Sequence, residues 1–297
     1  MRIGTYSIVA RDPESGQIGV AVQSHWFSVG PIVAWARTGV GAVATQSIAE
    51  PAYGPKLLDR LARDETAQAA LAALVAIDEQ GAFRQVAVVD ALGRVACHTG
   101  ERCIAHAGDT AGDGYSAQAN MMASPGVWPA MARAFESATG PLARRLMAAL
   151  HAAEAAGGDV RGRQSAALLV VPGEGAGWEM VRDLRVDDSD GPLAELDRLL
   201  DLADAYELAG EADDLAGQGR HDQAGELYVR ASALAPGNHE LVFWSGLAAA
   251  QAGDMPLALE RVRKAIASRP AWAELLERLE PDIAPGAQAV REALAAE

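Results

Sequence analysis

The chain has 297 residues, half of them apolar, which is enough for about two domains with packed cores. Its 25 basic and 40 acidic residues leave a net charge of −15, which repels nucleic acid and anionic membrane surfaces and excludes both as partners. The first apolar stretch gives way to Arg11-Asp12-Pro13-Glu14, and no later run reaches the roughly 18 apolar residues of a membrane span, so a cytoplasmic protein is expected.

In chain order, residues 3–10 and 17–23 alternate as strands. Between them lies Asp12-Pro13-Glu14-Ser15-Gly16, where Pro presets φ and Gly accepts a positive φ, so the pair should form a β-hairpin. Ile18, Val20 and Val22 share one face, and the small residues on the other suit close contact with a second layer. Further strands are expected at 31–36 and 39–47. Helical periodicity follows, with Tyr53, Leu57, Leu58 and Leu61 on one stripe and Ala67, Ala70, Leu71, Leu74 and Val75 on the next. Strands at 85–89 and 94–98 flank the turn Asp90-Ala91-Leu92-Gly93, and 114–120 adds another. Helices are predicted at 125–136 and 141–156, then strands at 166–171 and 178–186.

Strands in blocks, helices in blocks and strands again argue against singly alternating βαβ units. The economical solution is an α+β domain over residues 1–190, in which two antiparallel sheets pack on each other and helices cover the outer faces: a four-layer αββα sandwich.

Asp190-Gly191-Pro192 caps a connector helix over 191–207, with Leu193, Leu196 and Leu200 on one side. In the remainder, 208–297, Ala212, Gly219, Ala224, Ala231 and Pro236 recur 34 residues later as Gly246, Gly253, Ala258, Ala265 and Pro270. That is the period of a tetratricopeptide helical hairpin, so an all-α repeat domain is predicted, with a capping helix around Trp272, Leu275, Leu276 and Leu279. Two repeats are too few to stand alone, so the array should lean on the connector or on another chain; a protein or peptide partner and a homo-oligomer are expected.

Thr5 to Pro13, Gly19 to Ser24, Val40 to Gln46, Tyr53-Gly54 and Gly162 to Ala167 together resemble the bacterial and archaeal family called domain of unknown function 1028. The resemblance runs from residue 5 to about 190. It implies the fold of the N-terminal-nucleophile (Ntn) hydrolases, the same four-layer sandwich that the element order suggests. In such enzymes a terminal Thr, Ser or Cys attacks an amide carbonyl while its own α-amine serves as base. A terminal amine titrates near pH 8 and lies within reach of the hydroxyl, so no other base need be recruited.

Thr5, at the start of the first strand, is the nucleophile this resemblance implies, with Ser7 a substitute on the same strand. Members of the family often carry that threonine directly after the initiator Met. Here Arg2-Ile3-Gly4 intervene, so a free Thr5 amine requires cleavage of the Gly4–Thr5 bond or a different start. The competing reading of Thr5 is an ordinary β-branched strand residue.

Other polar residues carry two readings each. Arg163, with Gln164 and Ser165, stands before the apolar strand 166–171 and can clamp a substrate carboxylate or pair with an acidic loop. His25, among Trp26 and Phe27 at a strand end, suits proton transfer or a structural role. Thr45, Gln46 and Asn120 terminate strands, where their side chains can serve as oxyanion donors or as strand-end hydrogen-bonding groups.

No metal is predicted, because Asp109, Asp113, Asp187, Asp188 and Asp190 match no calcium loop, and Cys97 and Cys103 lack zinc spacing. No GxxxxGK[ST] phosphate loop occurs, and no cofactor is expected. The sequence therefore points to an Ntn-type hydrolase of a small amide or related C–N bond joined to an interaction module. The alternative is a non-catalytic scaffold that keeps the fold and works through its repeats.

Overall fold

The computed structural model describes residues 2–296, so Met1 and Glu297, the expected outer limits of the two domains, lie outside the described residues. The chain divides into two compact units, Met1–Asp197 and Arg198–Glu297.

In chain order the first unit contains β1 Arg2–Ile3, β2 Thr5–Arg11, β3 Ile18–Ser24, α1 Gly30–Val33, β4 Ala34–Arg37 and β5 Gly41–Ile48. Next come α2 Tyr53–Leu61, α3 Ala67–Ala76, β6 Arg84–Asp90, β7 Val95–Thr99, β8 Gly108–Gly112 and β9 Tyr115–Asn120. The unit ends with α4 Val127–Ser137, α5 Leu142–Ala155, β10 Ser165–Val171 and β11 Arg182–Val186. These strands build two antiparallel sheets. One has the order β11-β10-β3-β2-β9-β8; the other runs β1-β5-β6-β7, with β4 also paired to β5.

The expected hairpin forms between β2 and β3. Its turn is closed by the Asp12 carboxylate, which accepts from the Ser15 amide and hydroxyl at 2.9 and 2.5 Å, and Gly16 takes φ +73°. Burial pushes the Asp12 carboxyl up, but the Ser15 hydrogen bonds and the Arg145 guanidinium outweigh it and hold the group below its ordinary range.

Apolar side chains of both sheets meet in one core: Val9, Val20 and Val22 from the six-stranded sheet face Ala42, Ala44 and Val89 from the other. On the opposite face of β5 and β6, Val43, Val86 and Val88 pack under α2 and α3. The helices α4 and α5 cover β2, β3 and β9. Gly19 is where α5 comes closest, since a Cβ there would meet Leu146 Cδ1 at 2.9 Å.

Three local expectations are corrected. The strand anticipated at 31–36 begins only at Ala34, because Gly30 and Pro31 open the short helix α1. β8 was not anticipated; Gly108–Gly112 lacks an apolar alternation and forms a partly exposed edge strand. β11 starts at Arg182 rather than 178, and Trp178 before it is 80% exposed. The helix α6 runs from Pro192 to Gly217.

After α6 come α7 His221–Leu234, α8 His239–Gln251, α9 Met255–Ser268, α10 Ala271–Arg278 and α11 Ala287–Ala295, the last unanticipated. Residues 34 apart behave alike. Gly219 and Gly253 take φ +76° and +87° just past α6 and α8, Ala224 and Ala258 are buried, and so are Ala231 and Ala265. Ala212 is buried, while a Cβ on its counterpart Gly246 would meet Val262 Cγ2 at 2.9 Å and the Ala258 carbonyl at 3.2 Å, so α8 and α9 approach closely there. Among the described residues no helix is long and apolar enough to cross a membrane.

Candidate functional site

The site lies where the chain crosses from one sheet to the other. Ile3 pairs with Ser47 of β5, whereas Thr5 pairs with Ser24 of β3 and Asn120 of β9. Gly4 is the joint between the sheets, and it is tightly enclosed. A Cβ there would lie 2.7 Å from Arg161 Nη2, 2.8 Å from Asp159 Oδ2 and 3.0 Å from Met121 Cβ.

At this end of the sandwich the space between the sheets turns from hydrocarbon to amide and hydroxyl. Ser7 Oγ donates to Gln46 Oε1 at 2.6 Å and accepts from Gln118 Nε2 at 2.6 Å. Gln46 Nε2 donates to Gln85 Oε1 at 2.8 Å, and Gln85 Nε2 donates to the Ala119 carbonyl at 2.9 Å. All of these side chains are buried, and an intersheet network of this kind is stable only because nearly every member finds a partner.

Thr5 is fully buried in this polar end, not in hydrocarbon. Its Oγ1 donates to Ser24 Oγ at 3.1 Å, and Ser24 Oγ donates onward to the Gly4 carbonyl at 2.5 Å. A second donor, Arg161 Nη2, reaches the same carbonyl at 3.0 Å. Two donors therefore converge on the oxygen of the peptide that precedes the Thr5 hydroxyl. The Thr5 carbonyl accepts from Gln46 Nε2 at 3.2 Å and, at 3.5 Å, from Asn120 Nδ2. Asn120 Oδ1 is buried and has no hydrogen-bond partner among the described residues.

The Asp159 carboxylate fixes Arg161. Oδ1 accepts from Arg161 Nε at 3.0 Å and from the Arg161 amide at 2.9 Å, and Oδ2 accepts from Nη2 at 2.7 Å. The His25 amide reaches the same carboxylate at 3.4 Å, while the His25 Nδ1 is buried without a hydrogen-bond partner among the described residues. Two non-glycine residues with positive φ flank Gly4: Ser47 at +71° and Met121 at +62°. Backbone strain of this kind survives only where its surroundings enforce it, and it concentrates at working sites.

The remaining predicted site residues lie elsewhere. Arg163 pairs with Glu154 Oε1 at 3.2 Å on α5, whose other oxygen accepts the Tyr6 hydroxyl at 2.8 Å; burial first, and then Glu154, push the Tyr6 phenol well up. Gln164 Nε2 donates to Asp188 at 3.0 Å. Ser165 Oγ donates to the Trp26 carbonyl at 2.5 Å and accepts from the Val29 amide, which staples the loop after β3. Thr45 turns to the other face of its strand and donates to the Glu50 carbonyl at 3.1 Å. The structure thus gathers Thr5, Gln46, Asn120 and the main chain of His25, and leaves the side chains of Thr45, Arg163, Gln164 and Ser165 tied to other partners.

Ser24, Gln85, Asp159 and Arg161 join the site without having been singled out. Asp159 and Arg161 sit two residues apart in a loop, an unremarkable local pattern whose acceptor lies 157 residues away in the chain. Among the described residues no group of three metal-ligating side chains comes together. Asp109 and Asp187 instead accept from Thr99 and Ser28. Cys97 and Cys103 are free, and burial pushes both thiols up.

Residues 5–196 match the model of a family of unknown function, DUF1028. The chain belongs to this family. The DUF1028 segment begins at Thr5 and ends within α6, so Arg2–Gly4 and α7 to α11 fall outside it. A solved DUF1028 relative, protein SPO2555 from Silicibacter pomeroyi, is 32% identical with a TM-score of 0.61, over 66% of this chain and 88% of that one. No curated protein matches the chain.

In the second unit, outside the DUF1028 segment, a cleft of about 440 Å³ is lined by Tyr228, Trp244, Leu247 and Ile283 together with Asp213 and Asp282. Tyr228 donates its hydroxyl to Asp213.

Proposed function

We propose that this chain is an amide hydrolase of the N-terminal-nucleophile type, its first unit an Ntn-like four-layer sandwich and Thr5 the nucleophile once residues 1–4 are removed. The observation that carries this reading is the Gly4 carbonyl, which receives Ser24 Oγ at 2.5 Å and Arg161 Nη2 at 3.0 Å while the Thr5 hydroxyl hydrogen-bonds to the same Ser24. Paired donors on a carbonyl oxygen stabilise the charge that develops there during attack. That the family segment starts at Thr5 supports the same boundary.

In the processing step the Thr5 Oγ bonds to the Gly4 carbonyl carbon, the Gly4–Thr5 C–N bond breaks, and the hydroxyl proton passes to the Thr5 nitrogen. Water then hydrolyses the ester, leaving a Gly4 carboxylate and a Thr5 with a free amine. That amine titrates near pH 8, so a useful fraction is neutral at working pH and can take the hydroxyl proton during attack on a substrate. Asn120 Oδ1, buried beside Thr5 and without a hydrogen-bond partner among the described residues, is suited to accept from the liberated amine. Ser24 and Arg161, freed from Gly4, become donors to the substrate carbonyl.

In this reading the second unit is a tetratricopeptide-like module that takes a protein or peptide partner in its Trp244-lined cleft, and the enzyme works in the cytoplasm as a homo-oligomer on a small substrate without metal or cofactor. His25, whose backbone amide reaches Asp159, borders the site and contacts the substrate's distal part in this reading.

A scaffold without catalysis is the second reading. It is favoured by β1, whose pairing with β5 holds the residues before Thr5 in the sheet. Intact-mass measurement of the purified protein separates the two. Loss of Met1–Gly4 supports the hydrolase, and an uncut chain carrying all 297 residues after prolonged incubation supports the scaffold.

A further inference from the structure

We propose that the acyl side of the site accepts only amides whose carbonyl carbon is attached to an unbranched carbon, the CH2 of an acylglycyl group or the CH3 of an acetyl group, and rejects alanyl and other α-branched acyl groups. The proposal rests on Thr5 acting as nucleophile and says what that nucleophile will take.

The same hydroxyl must reach two carbonyls, first that of Gly4 and later that of the substrate. Its position at the start of β2 is set by pairing with β3 and β9, so both carbonyl carbons must come to nearly one place, with their oxygens toward Ser24 and Arg161. Gly4 therefore marks the ground that a substrate acyl group will occupy.

That ground has no room for a branch. A methyl on the Gly4 α-carbon would stand 2.7 Å from Arg161 Nη2, 2.8 Å from Asp159 Oδ2 and 3.0 Å from Met121 Cβ. A clash with the tip of a loose side chain would be cheap, but these groups are pinned. Arg161 is held by Asp159 through Nε and Nη2, and the Asp159 side chain is wholly buried. Met121 Cβ belongs to a residue whose backbone lies at φ +62°, with its amide on the Ile104 carbonyl and its carbonyl on the Val160 amide. Admitting a methyl means breaking the Asp159–Arg161 pair or shifting this backbone, and the guanidinium displaced is one of the two donors to the reacting carbonyl. The methyl thus costs packing and transition-state stabilisation together.

The Gly4 nitrogen continues along the chain toward β1, so the acyl group can be extended through an amide on its α-nitrogen. Acylglycyl amides fit this description, with the amine leaving group on the Thr5 side.

The experiment compares N-acetylglycine para-nitroanilide with N-acetyl-L-alanine para-nitroanilide, using the full chain as purified and its intact mass recorded in parallel. The expected result is a processed chain with kcat/KM for the glycyl compound higher by about thirty-fold or more, the discrimination that one badly placed methyl produces. Equal rates, or a preference for alanyl, from a processed chain would overturn the specificity and leave the hydrolase reading standing. A processed chain that hydrolyses neither compound would overturn the specificity alone, and a chain that keeps residues 1–4 would overturn both. As a second measurement, Gly4→Ala in the full chain should retain residues 1–4 under conditions that process the wild type; prompt processing of that variant also counts against the proposal.

Discussion

Asp159 grips Arg161 through both carboxylate oxygens, at 3.0 Å to Nε and 2.7 Å to Nη2, and this grip aims the guanidinium at the carbonyl of Gly4. A guanidinium left free would sample many rotamers. Held by a buried carboxylate, it becomes a fixed donor.

Removing the grip should therefore affect stability and chemistry together. Asp159→Ala strands Arg161 beside a buried peptide, and breaking such a pair costs about 3 kcal/mol. Urea unfolding of the variant measures this loss. A cost near zero would show that the pair positions nothing.

Thr5→Ala is expected to fold and to keep residues 1–4, whereas Thr5→Ser should be processed, because the serine hydroxyl supplies the same nucleophile. Ser24→Ala removes one of the two donors to the Gly4 carbonyl and should slow processing by about a hundred-fold. Mass spectrometry over a time course reads all three. Wild-type rates in Ser24→Ala would remove the role given to that hydroxyl.

The Asp78 carboxylate sits lower than usual on the pH scale, chiefly through its hydrogen bond from the Arg84 guanidinium and further through the Gln80 amide and the Tyr53 hydroxyl, against the opposing effect of burial. A carboxyl depressed in the folded state contributes stability that is fully present above its unfolded value of 3.8 and is lost as pH falls through the folded value. The Tm gap between wild type and Asp78→Asn should thus be constant from neutral pH down to about 5 and shrink below that. A gap that widened on acidification would contradict the sign.

Cys97 and Cys103 should alkylate far more slowly in the folded protein at pH 8 than in the denatured chain. Burial raises both thiols, and for Cys97 the neighbouring Asp109 adds to the rise, so little thiolate is present. Iodoacetamide labelling followed by mass spectrometry checks this, and rapid labelling of the native state would contradict it.

Gly246→Val should destabilise the helical unit by about 2 kcal/mol, because its side chain would run into Val262, Arg261 and the Ala258 carbonyl between α8 and α9. Thermal unfolding followed by helical circular dichroism measures the change, and an unaltered transition would mean that the helices are free to separate there.

Much of the framework was open to reading from local chemistry. The β2–β3 hairpin follows from Asp12 to Gly16, the helices α2 to α5 from apolar residues at helical spacing, and the similar environments of Gly219 and Gly253 from a 34-residue recurrence. These features depend on neighbours within a few residues or on a repeating period. β8 escaped because Gly108–Gly112 has no alternation, and its pairing is imposed from outside by β9.

The site itself obeys a different rule. Thr5 could be picked out by its place at the head of a strand, and Gln46 and Asn120 by theirs at strand ends. That Thr45 turns away from Gln46 is a consequence of strand pleat, and that Arg163 is taken by Glu154 depends on where α5 lies. Arg161 reaches Gly4 across 157 residues of chain. By itself the sequence determined most of the elements, the polar residues at their ends and the glycine before Thr5, because turn, strand and helix preferences act over short distances. Which arginine meets that glycine was decided only when two sheets and a distant loop closed around it, because a side chain's partner depends on the direction in which the assembled backbone points it.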